Sequence, residues 1–205
     1  MPNTNSTRKH TTFPVRRALL ISAVWGVSIT LSMTAQAAEG SSDYLILATS
    51  KTSTMEKELN AAAAGGYRFS KAMGGKSANG GQEVIVAMAK DSAHSQGVRK
   101  YKLLATTKTS TMQKEMQQAA DQGYAYLDQT VFKSAFGGDE VAVIMEFDPS
   151  NKVSGSFYRL LATTKTSTMQ TELREAAADG YVLVGLTVGK TAIGGDEIVT
   201  ILRRD

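Results

Sequence analysis

The sequence predicts an α+β fold made of three tandem β-α-β-β repeats with a 57-residue period. One octapeptide, Ala-Thr-Ser/Thr-Lys-Thr-Ser-Thr-Met, occurs three times and ends at Met55, Met112 and Met169. The methionines are separated by 112 − 55 = 57 and 169 − 112 = 57 residues, so the copies follow one another without a gap. Each copy contains an apolar run, a helical stripe and two more apolar runs in the same order, which predicts one unit three times.

The repeats span residues 44–91, 101–148 and 158–205, and polar linkers of nine residues, 92–100 and 149–157, separate them. A unit of this size is too small to bury much apolar surface on its own. We therefore expect the repeats to pack on one another with pseudo-threefold symmetry around a shared apolar interior, which would also cover strand edges. A linear array of stacked repeats is the alternative.

Each repeat opens with a short apolar strand, predicted at residues 44–49, 101–106 and 158–163. A helix is predicted to start at the serine of the octapeptide. Glu or Gln follows this serine three residues later, a spacing that forms a capping box in which each side chain bonds the other residue's backbone amide. The predicted boxes are Ser53 with Glu56, Ser110 with Gln113, and Ser167 with Gln170.

An apolar stripe at helical spacing continues each helix. In repeat 1 it consists of Met55, Leu59 and the pair Ala62-Ala63, and the alanines allow the helix to pack closely on a sheet. Gly66 is predicted to end this helix in a left-handed conformation. The equivalents are Met112, Met116, Ala119, Ala120 and Gly123 in repeat 2, and Met169, Leu173, Ala176, Ala177 and Gly180 in repeat 3.

Two further strands joined by a glycine hairpin complete each repeat. The second strand is clearest at residues 181–188 and weaker at 67–73. The third strand is predicted at residues 83–88, 140–147 and 197–202. The hairpin turns are predicted at Gly80-Gly81, Gly137-Gly138 and Gly194-Gly195.

Residues 1–37 are predicted to be a signal peptide. Arg16 and Arg17 precede an apolar run over residues 18–33, and Ala35 and Ala37 place small residues at positions −3 and −1 of a cleavage site. The run is shorter than the roughly 20 residues that a membrane span needs, which favours cleavage over an uncleaved anchor. We expect a periplasmic or secreted protein with no membrane span after cleavage.

Composition limits the possible functions of the mature chain. The signal segment holds four of the 23 Lys and Arg residues and no acidic residue, so 19 basic residues balance 19 acidic ones after cleavage. This balance gives no general attraction to nucleic acid, and no nucleic-acid partner is expected. The chain has no cysteine, and His94 is the one histidine outside the signal segment, which is too few for a metal site or a catalytic triad. We predict no enzyme activity, catalytic residue, metal or cofactor.

The octapeptide supplies the candidate ligand-binding residues. Backbone amides at a helix start, three hydroxyl groups and a lysine could bind a small anion such as phosphate, sulfate or a carboxylate. The alternative is purely structural: serine caps the helix, Thr49 and Thr52 order the loop, and Lys51 pairs with Glu58 or Glu83 of the same or the next repeat. The candidate residues are Lys51, Thr52, Ser53, Thr54, Lys108, Thr109, Ser110, Thr111, Lys165, Thr166, Ser167 and Thr168.

Four short motifs in each repeat resemble a small uncharacterised type of secreted bacterial β-α-β-β domain. In repeat 1 they are the opening Tyr44, the helical Glu58-Leu59, the pair Gly66-Tyr67, and residues 81–84, Gly-Gln-Glu-Val. The resemblance covers nearly the whole mature chain. Such domains have no assigned chemistry, so the resemblance implies a fold and no active-site residue.

These observations favour an exported, non-enzymatic repeat protein that acts by protein binding or assembly. Its partner would be another exported protein or a second copy of the chain. The alternative is a small-anion-binding protein that uses the Thr-Lys-Thr-Ser-Thr loops. An enzyme would need residues such as Lys51, Glu58 and Tyr67 to converge from different repeats.

Overall fold

A computed structural model describes residues 43–76, 81–90, 98–133, 139–151, 155–190 and 195–205. Over these residues the chain is α+β, with three helices and three small antiparallel sheets. The predicted signal peptide, residues 1–37, lies outside the described residues. The same is true of the hairpin glycines Gly80, Gly137, Gly138 and Gly194.

The elements follow the predicted β-α-β-β order in every repeat. Repeat 1 comprises β1 (Tyr44–Thr49), α1 (Thr52–Ala64), β2 (Tyr67–Lys76) and β3 (Gln82–Lys90). Repeat 2 comprises β4 (Lys100–Thr106), α2 (Thr109–Asp121), β5 (Ala125–Lys133) and β6 (Asp139–Phe147). Repeat 3 comprises β7 (Phe157–Thr163), α3 (Thr166–Ala178), β8 (Val182–Lys190) and β9 (Asp196–Arg204).

The third strand of each repeat is the centre of its sheet. The strand orders are β1-β3-β2, β4-β6-β5 and β7-β9-β8, and both neighbours run antiparallel to the central strand. The first and second strands are therefore edges. The second strand contains an irregularity of the bulge type at the same place in each repeat, which shifts the alternation of its later side chains. The irregularities lie between Phe69 and Lys71, between Tyr126 and Asp128, and between Leu183 and Gly185.

The helices begin one residue earlier than predicted, and the capping boxes do not form. Lys51 is the N-cap residue of α1, with an extended backbone at φ −116° and ψ 116°, and Thr52 is the first helical residue. Ser53 therefore lies inside the first turn and cannot cap. No helix among the described residues has a capping hydrogen bond from the side chain of its N-cap residue. The predicted caps at Ser53, Ser110 and Ser167 are wrong, because Lys51, Lys108 and Lys165 take the N-cap position.

The predicted helix ends are confirmed, and the predicted apolar stripes are buried unevenly. Gly66 follows α1 at φ +83°, the left-handed conformation that ends a helix without a steric penalty for glycine. The whole stripe is buried in α1 and α2, whereas in α3 Leu173 is half-buried and Ala177 is exposed. This difference arises because the next repeat covers α1 and α2, whereas α3 has substantial contacts only with strands of its own repeat among the described elements.

The buried side chains form two clusters, each shared by two neighbouring repeats. The first joins α1 and β3 to Tyr101 and Ile144 of repeat 2. The second joins α2 and β6 to Tyr158 and Ile201 of repeat 3. Among the described elements, the substantial contacts between repeats likewise run from repeat 1 to repeat 2 and from repeat 2 to repeat 3. The predicted pseudo-threefold packing around one interior is not confirmed.

Each sheet has a face that points away from the repeat's own helix, which we call the front face. Side chains alternate along a strand, so Val141, Val143 and Met145 of β6 point to α2, and Ala142 and Ile144 point the other way. Ala142 and Ile144 belong to the cluster shared with repeat 1. The front face of repeat 2 therefore packs on repeat 1.

We call the surface of a repeat that packs on the next repeat its back surface. It consists of the helix and the helix-side residues of the second strand. In repeat 1, α1 contacts β4 and β2 contacts β5; in repeat 2, α2 contacts β7 and β5 contacts β8. The same front-to-back contact thus occurs twice in the chain. Within the described part of the chain, it leaves the front face of repeat 1 and the back surface of repeat 3 without a neighbouring repeat.

Candidate functional site

The twelve predicted ligand-binding residues lie at the starts of the three helices, four at each. Lys51 is the N-cap residue of α1, and Thr52, Ser53 and Thr54 form its first turn. Residues 108–111 and 165–168 occupy the equivalent places in α2 and α3. The three helices have no substantial contact with one another over the described ranges. Each group of four is therefore brought together, whereas the three groups are not.

A threonine orders the loop before each helix, as predicted for Thr49. The hydroxyl oxygen of Thr49 accepts a hydrogen bond from the backbone nitrogen of Lys51 at 3.2 Å. This local turn holds the lysine in the extended conformation that starts the helix. The same bond joins the lysine amide to the threonine hydroxyl at Lys108–Thr106 (3.1 Å) and at Lys165–Thr163 (3.2 Å).

The helix starts carry positive charge without an acidic neighbour in the first turn. Lys51, Lys108 and Lys165 are exposed, and the first turns of α1, α2 and α3 contain no Asp or Glu. The predicted ion pair of Lys51 with Glu58 or Glu83 is not found in the described part of the chain. The amides of a first helical turn are the positive end of the helix dipole, which favours an anion.

The cavity beside the loop that precedes α2 is small. A cavity of about 10 Å³ lies between the Thr106–Thr109 loop and the apolar side chains of Met112, Val141, Leu160 and Val199. Such a volume holds about one water molecule. No group of three or more His, Asp or Glu side chains over the described residues is placed to hold a metal ion. None of the described helices has the length and apolar content that a membrane crossing requires.

The side chains of α1 bind the free edge of the next repeat's first strand. The backbone nitrogen of Leu103 donates to the Glu56 carboxylate at 2.9 Å. The backbone nitrogen of Tyr101 donates to Asn60 Oδ1 at 3.0 Å, and Asn60 Nδ2 donates to the Tyr101 carbonyl at 2.9 Å. Glu56, predicted to complete a capping box within α1, therefore satisfies a strand edge in repeat 2.

Helix α2 makes a similar contact with the first strand of repeat 3 and with the residue before that strand. The backbone nitrogen of Leu160 donates to Gln113 Oε1 at 2.9 Å. The backbone nitrogen of Tyr158 donates to Gln117 Oε1 at 3.1 Å, and Gln117 Nε2 donates to the Ser156 carbonyl at 3.2 Å. Two polar side chains one helical turn apart thus replace a neighbouring strand at each internal edge.

A tyrosine on the front face completes each internal contact. The hydroxyl of Tyr101 accepts from the backbone nitrogen of Phe69 at 3.0 Å and donates to the Glu146 carboxylate at 2.7 Å. The hydroxyl of Tyr158 accepts from the backbone nitrogen of Tyr126 at 2.9 Å. Each hydroxyl therefore satisfies an edge amide of the second strand of the preceding repeat.

The tyrosines at these contacts are harder to ionise than free tyrosine. Burial raises the pKa of Tyr101, the hydrogen bond from Phe69 lowers it by less, and the nearby Glu146 carboxylate raises it further. Burial is also the main cause that raises the pKa of Tyr126 and of Tyr158. The neutral hydroxyl is therefore the form that fits the packed repeats.

The equivalent of these tyrosines in repeat 1 is exposed. Tyr44 is 62% exposed, whereas Tyr101 is 2% and Tyr158 is 4% exposed. Ile46 and Met73 share the front face of repeat 1, because they pair with Ala87 and Ile85 of β3. These two residues of β3 are the equivalents of Ile144 and Ala142, which point to the front face of repeat 2. Both are also exposed large hydrophobic residues. The front face of repeat 1 is an uncovered apolar surface.

The back surface of repeat 3 is uncovered as well. Leu183, Leu186 and Val188 of β8 pair with Leu202, Thr200 and Ile198, and all three are exposed. Their equivalents in β2 and β5 lie in the two strands that pack on the next repeat. Those equivalents are Phe69, Ala72 and Gly74 in repeat 1, and Tyr126, Gln129 and Val131 in repeat 2.

Sequence reasoning did not identify these contact surfaces. It interpreted Glu56, Gln113 and Gln170 as capping residues, because Ser-x-x-Glu/Gln is a common capping pattern. The available signal was the recurrence of a polar residue four positions later, at Asn60 and Gln117, on the same helical face. Two aligned polar side chains beside an apolar stripe indicate a partner with unpaired backbone groups.

Comparison with protein-family models, curated proteins and solved structures finds no match to this chain. The resemblance of the four repeat motifs to a secreted bacterial domain type therefore stays a prediction.

Proposed function

We propose that the chain is an exported, non-enzymatic repeat protein that acts by protein binding or assembly through its uncovered repeat surfaces. The partner is another exported protein or a second copy of the chain. We also infer that one module recurs every 57 residues, which the equivalent helix starts at Thr52, Thr109 and Thr166 support. The same front-to-back relation joins each neighbouring pair.

One observation carries this proposal: surfaces that are buried between repeats are exposed at the two ends of the series. Among the nine exposed large hydrophobic residues of the described chain, six lie on the front face of repeat 1 or the back surface of repeat 3. Exposed apolar patches of this kind mark binding surfaces more often than single exposed apolar residues do. The six are Tyr44, Ile46, Met73, Leu183, Leu186 and Val188.

Affinity capture with the tagged protein tests the proposal. The full-length gene is expressed in an exporting bacterial host, and the tagged protein is recovered from the periplasmic fraction and the medium. We expect it to retain either another exported protein or an untagged copy of itself, and Ile46→Asp or Leu186→Asp to abolish this. Val98→Asp is the matched control, because Val98 is 51% exposed and lies before β4, outside both surfaces.

The same preparation tests export and the absence of catalysis. N-terminal sequencing should begin at Ala38, which corresponds to cleavage after Ala37. A protein that keeps residues 1–37 contradicts the predicted signal peptide. A protein that captures nothing through either end, or that turns over a substrate, contradicts the proposed function.

Binding of a small anion is the second candidate function. The exposed lysine, the uncapped first turn and the absence of acidic residues in the first turns of the three described helices favour it. Calorimetry with phosphate, sulfate and acidic sugars tests it. Heat that disappears in Lys51→Ala, Lys108→Ala and Lys165→Ala combined would support anion binding, and no heat with any of these anions would eliminate it.

A further inference from the structure

We propose that the partner of the uncovered surfaces is a second copy of this chain, bound head to tail. The front face of repeat 1 in one copy would cover the back surface of repeat 3 in the next copy. This inference rests on the proposed function and names its partner. Its basis is that the chain already makes this front-to-back contact twice, between repeats 1 and 2 and between repeats 2 and 3.

The front face of repeat 1 retains the residues that make the internal contacts. Tyr44 is the equivalent of Tyr101 and Tyr158, whose hydroxyls accept a hydrogen bond from the preceding repeat, and Ile46 is the equivalent of Leu103 and Leu160. In the head-to-tail contact, the Tyr44 hydroxyl would accept from the backbone nitrogen of Leu183. That amide is the equivalent of the Phe69 and Tyr126 amides, which tyrosine hydroxyls bind inside the chain.

The two open surfaces also match in shape, because one presents a valine side chain where the other presents a glycine. Inside the chain, Val131 on the back surface of repeat 2 lies against Gly189, where an added Cβ would come within 3.2 Å of the valine side chain. The equivalent residues at the open ends are Val188 and Gly75. No atom lies within 4 Å of a Cβ built on Gly75, so the space for Val188 is open in the single chain.

The edge of β1 in one copy also matches helix α3 of the next copy. The backbone nitrogens of Leu103 and Leu160 donate to Glu56 and Gln113 of the preceding helix. At the open ends, the equivalent donor is the amide of Ile46, and the equivalent acceptor is the exposed Gln170 of α3.

One position of α3 departs from the internal pattern. Asn60 and Gln117 accept from a tyrosine amide, whereas Arg174 stands in their place and has no acceptor atom. The contact between copies would lack one hydrogen bond that both internal contacts have. Association between copies should therefore be weaker than packing within the chain.

The two ends of one chain do not cover each other. Tyr44 and Leu186 are each 62% exposed in the same molecule, so the front face of repeat 1 and the back surface of repeat 3 are not in mutual contact. A contact between two different surfaces extends into an open chain of copies, or closes into a ring when its rotation permits. Closure would take more than the three repeats of one chain.

A mixing experiment with end-blocked variants tests the arrangement. Ile46→Asp blocks the front face of repeat 1, and Leu186→Asp blocks the back surface of repeat 3. Sedimentation velocity should show that the wild type associates as concentration rises, and that each variant alone is at least about 30-fold weaker. An equal mixture of the two variants should form dimers and nothing larger, because one open front face meets one open back surface.

Three further variants keep the test independent of folding defects. Gly75→Leu fills the space for Val188 in a position that is empty in the single chain, and should also block association. Arg174→Gln restores the missing acceptor and should tighten association by about 2- to 10-fold. Val98→Asp should associate like the wild type. Circular dichroism and urea midpoints check that each variant is folded.

Two results would overturn the inference. A wild type that remains monomeric at every concentration, with Arg174→Gln also monomeric, excludes head-to-tail association. Dimers formed by each variant alone, as strong as those of the mixture, indicate a different interface. If the monomeric protein still captures another exported protein through Ile46 or Leu186, the proposed function holds and this inference alone fails. If it captures nothing, both fail.

Discussion

The hydroxyl of Tyr101 lies 3.0 Å from the backbone nitrogen of Phe69, so a side chain of repeat 2 satisfies a strand edge of repeat 1. A strand edge with unpaired amides recruits other chains, and proteins usually cover it with another element. Here polar side chains of the neighbouring repeat cover it. Each repeat therefore depends on its neighbour for hydrogen bonds as well as for apolar packing, which couples the stability of adjacent repeats.

Replacement of Tyr101 with phenylalanine should destabilise the fold by about 1–3 kcal/mol. The change removes the acceptor for the Phe69 amide and the donor to the buried Glu146 carboxylate, and an unsatisfied buried group is costly. Urea denaturation measures the loss. Tyr44→Phe is the matched control, because Tyr44 is the equivalent residue on the uncovered face, and its effect should stay within about 0.5 kcal/mol. Equal effects of the two changes would show that the hydroxyl contact does not stabilise the repeats.

Replacement of Asn60 with alanine should also destabilise the fold, by about 1–3 kcal/mol. Asn60 bonds both the amide and the carbonyl of Tyr101, and alanine would leave both groups of the β4 edge without a partner. The equivalent change in α3, Arg174→Ala, should have almost no effect in dilute protein, because none of the described repeats covers α3. Thermal denaturation of both variants checks the difference. A similar loss in both would mean that Asn60 acts through its helix and not through the β4 edge.

Alkaline pH should unfold the protein through its buried tyrosines. Burial raises the pKa of Tyr101, Tyr126 and Tyr158 above the unfolded value of about 10. The folded state then holds more protons than the unfolded state, so stability is fully present below pH ~10 and falls as pH rises above it. Urea denaturation midpoints at a series of values from about pH 8 to about pH 11 measure the fall in stability.

Replacement of Tyr158 with phenylalanine provides the control for this pH dependence. The variant has lower stability at neutral pH, but it has one buried tyrosine fewer to ionise, so its stability should fall less steeply above pH ~10. Absorbance of tyrosinate should rise together with the loss of helical signal. If tyrosinate forms fully while the helices remain intact, burial does not hold these hydroxyls in the neutral form.

The β-α-β-β order could be predicted because local signals specify each element. Apolar runs, a stripe at helical spacing and Gly66 are features of neighbouring residues, and they recur at a fixed interval. The helix start was misplaced for a local reason too. The Thr49 hydroxyl binds the Lys51 amide and fixes an extended lysine as the N-cap residue, which competes with the expected serine cap.

The contact surfaces could not be predicted because they depend on residues far apart in sequence. Glu56 and Leu103 are 47 positions apart, and no local pattern pairs a helix side chain with a strand amide in the next repeat. The repeat count also does not distinguish closed packing from open packing. Which packing forms depends on the rotation between neighbouring repeats, and the 57-residue spacing does not specify this rotation. The exposure of Tyr44 shows that the packing is open, because closed packing would bury the front face of repeat 1.

Replacement of Gly74 with alanine should disrupt the contact between repeats 1 and 2. A Cβ at Gly74 would overlap the backbone carbonyl of Val131, and a backbone atom in a paired strand cannot move aside as a flexible side chain can. Forcing extra atoms into a packed contact usually costs about 1–3 kcal/mol, and more where the backbone must shift. Gly75→Ala is the matched control in the next position of the same strand, where a Cβ would meet no atom within 4 Å. In dilute protein it should leave stability unchanged or raise it slightly, because alanine restricts the unfolded chain more than glycine does. Differential scanning calorimetry of both variants measures the contrast, and a tolerated Gly74→Ala would show that β2 and β5 do not pack as closely as this contact requires.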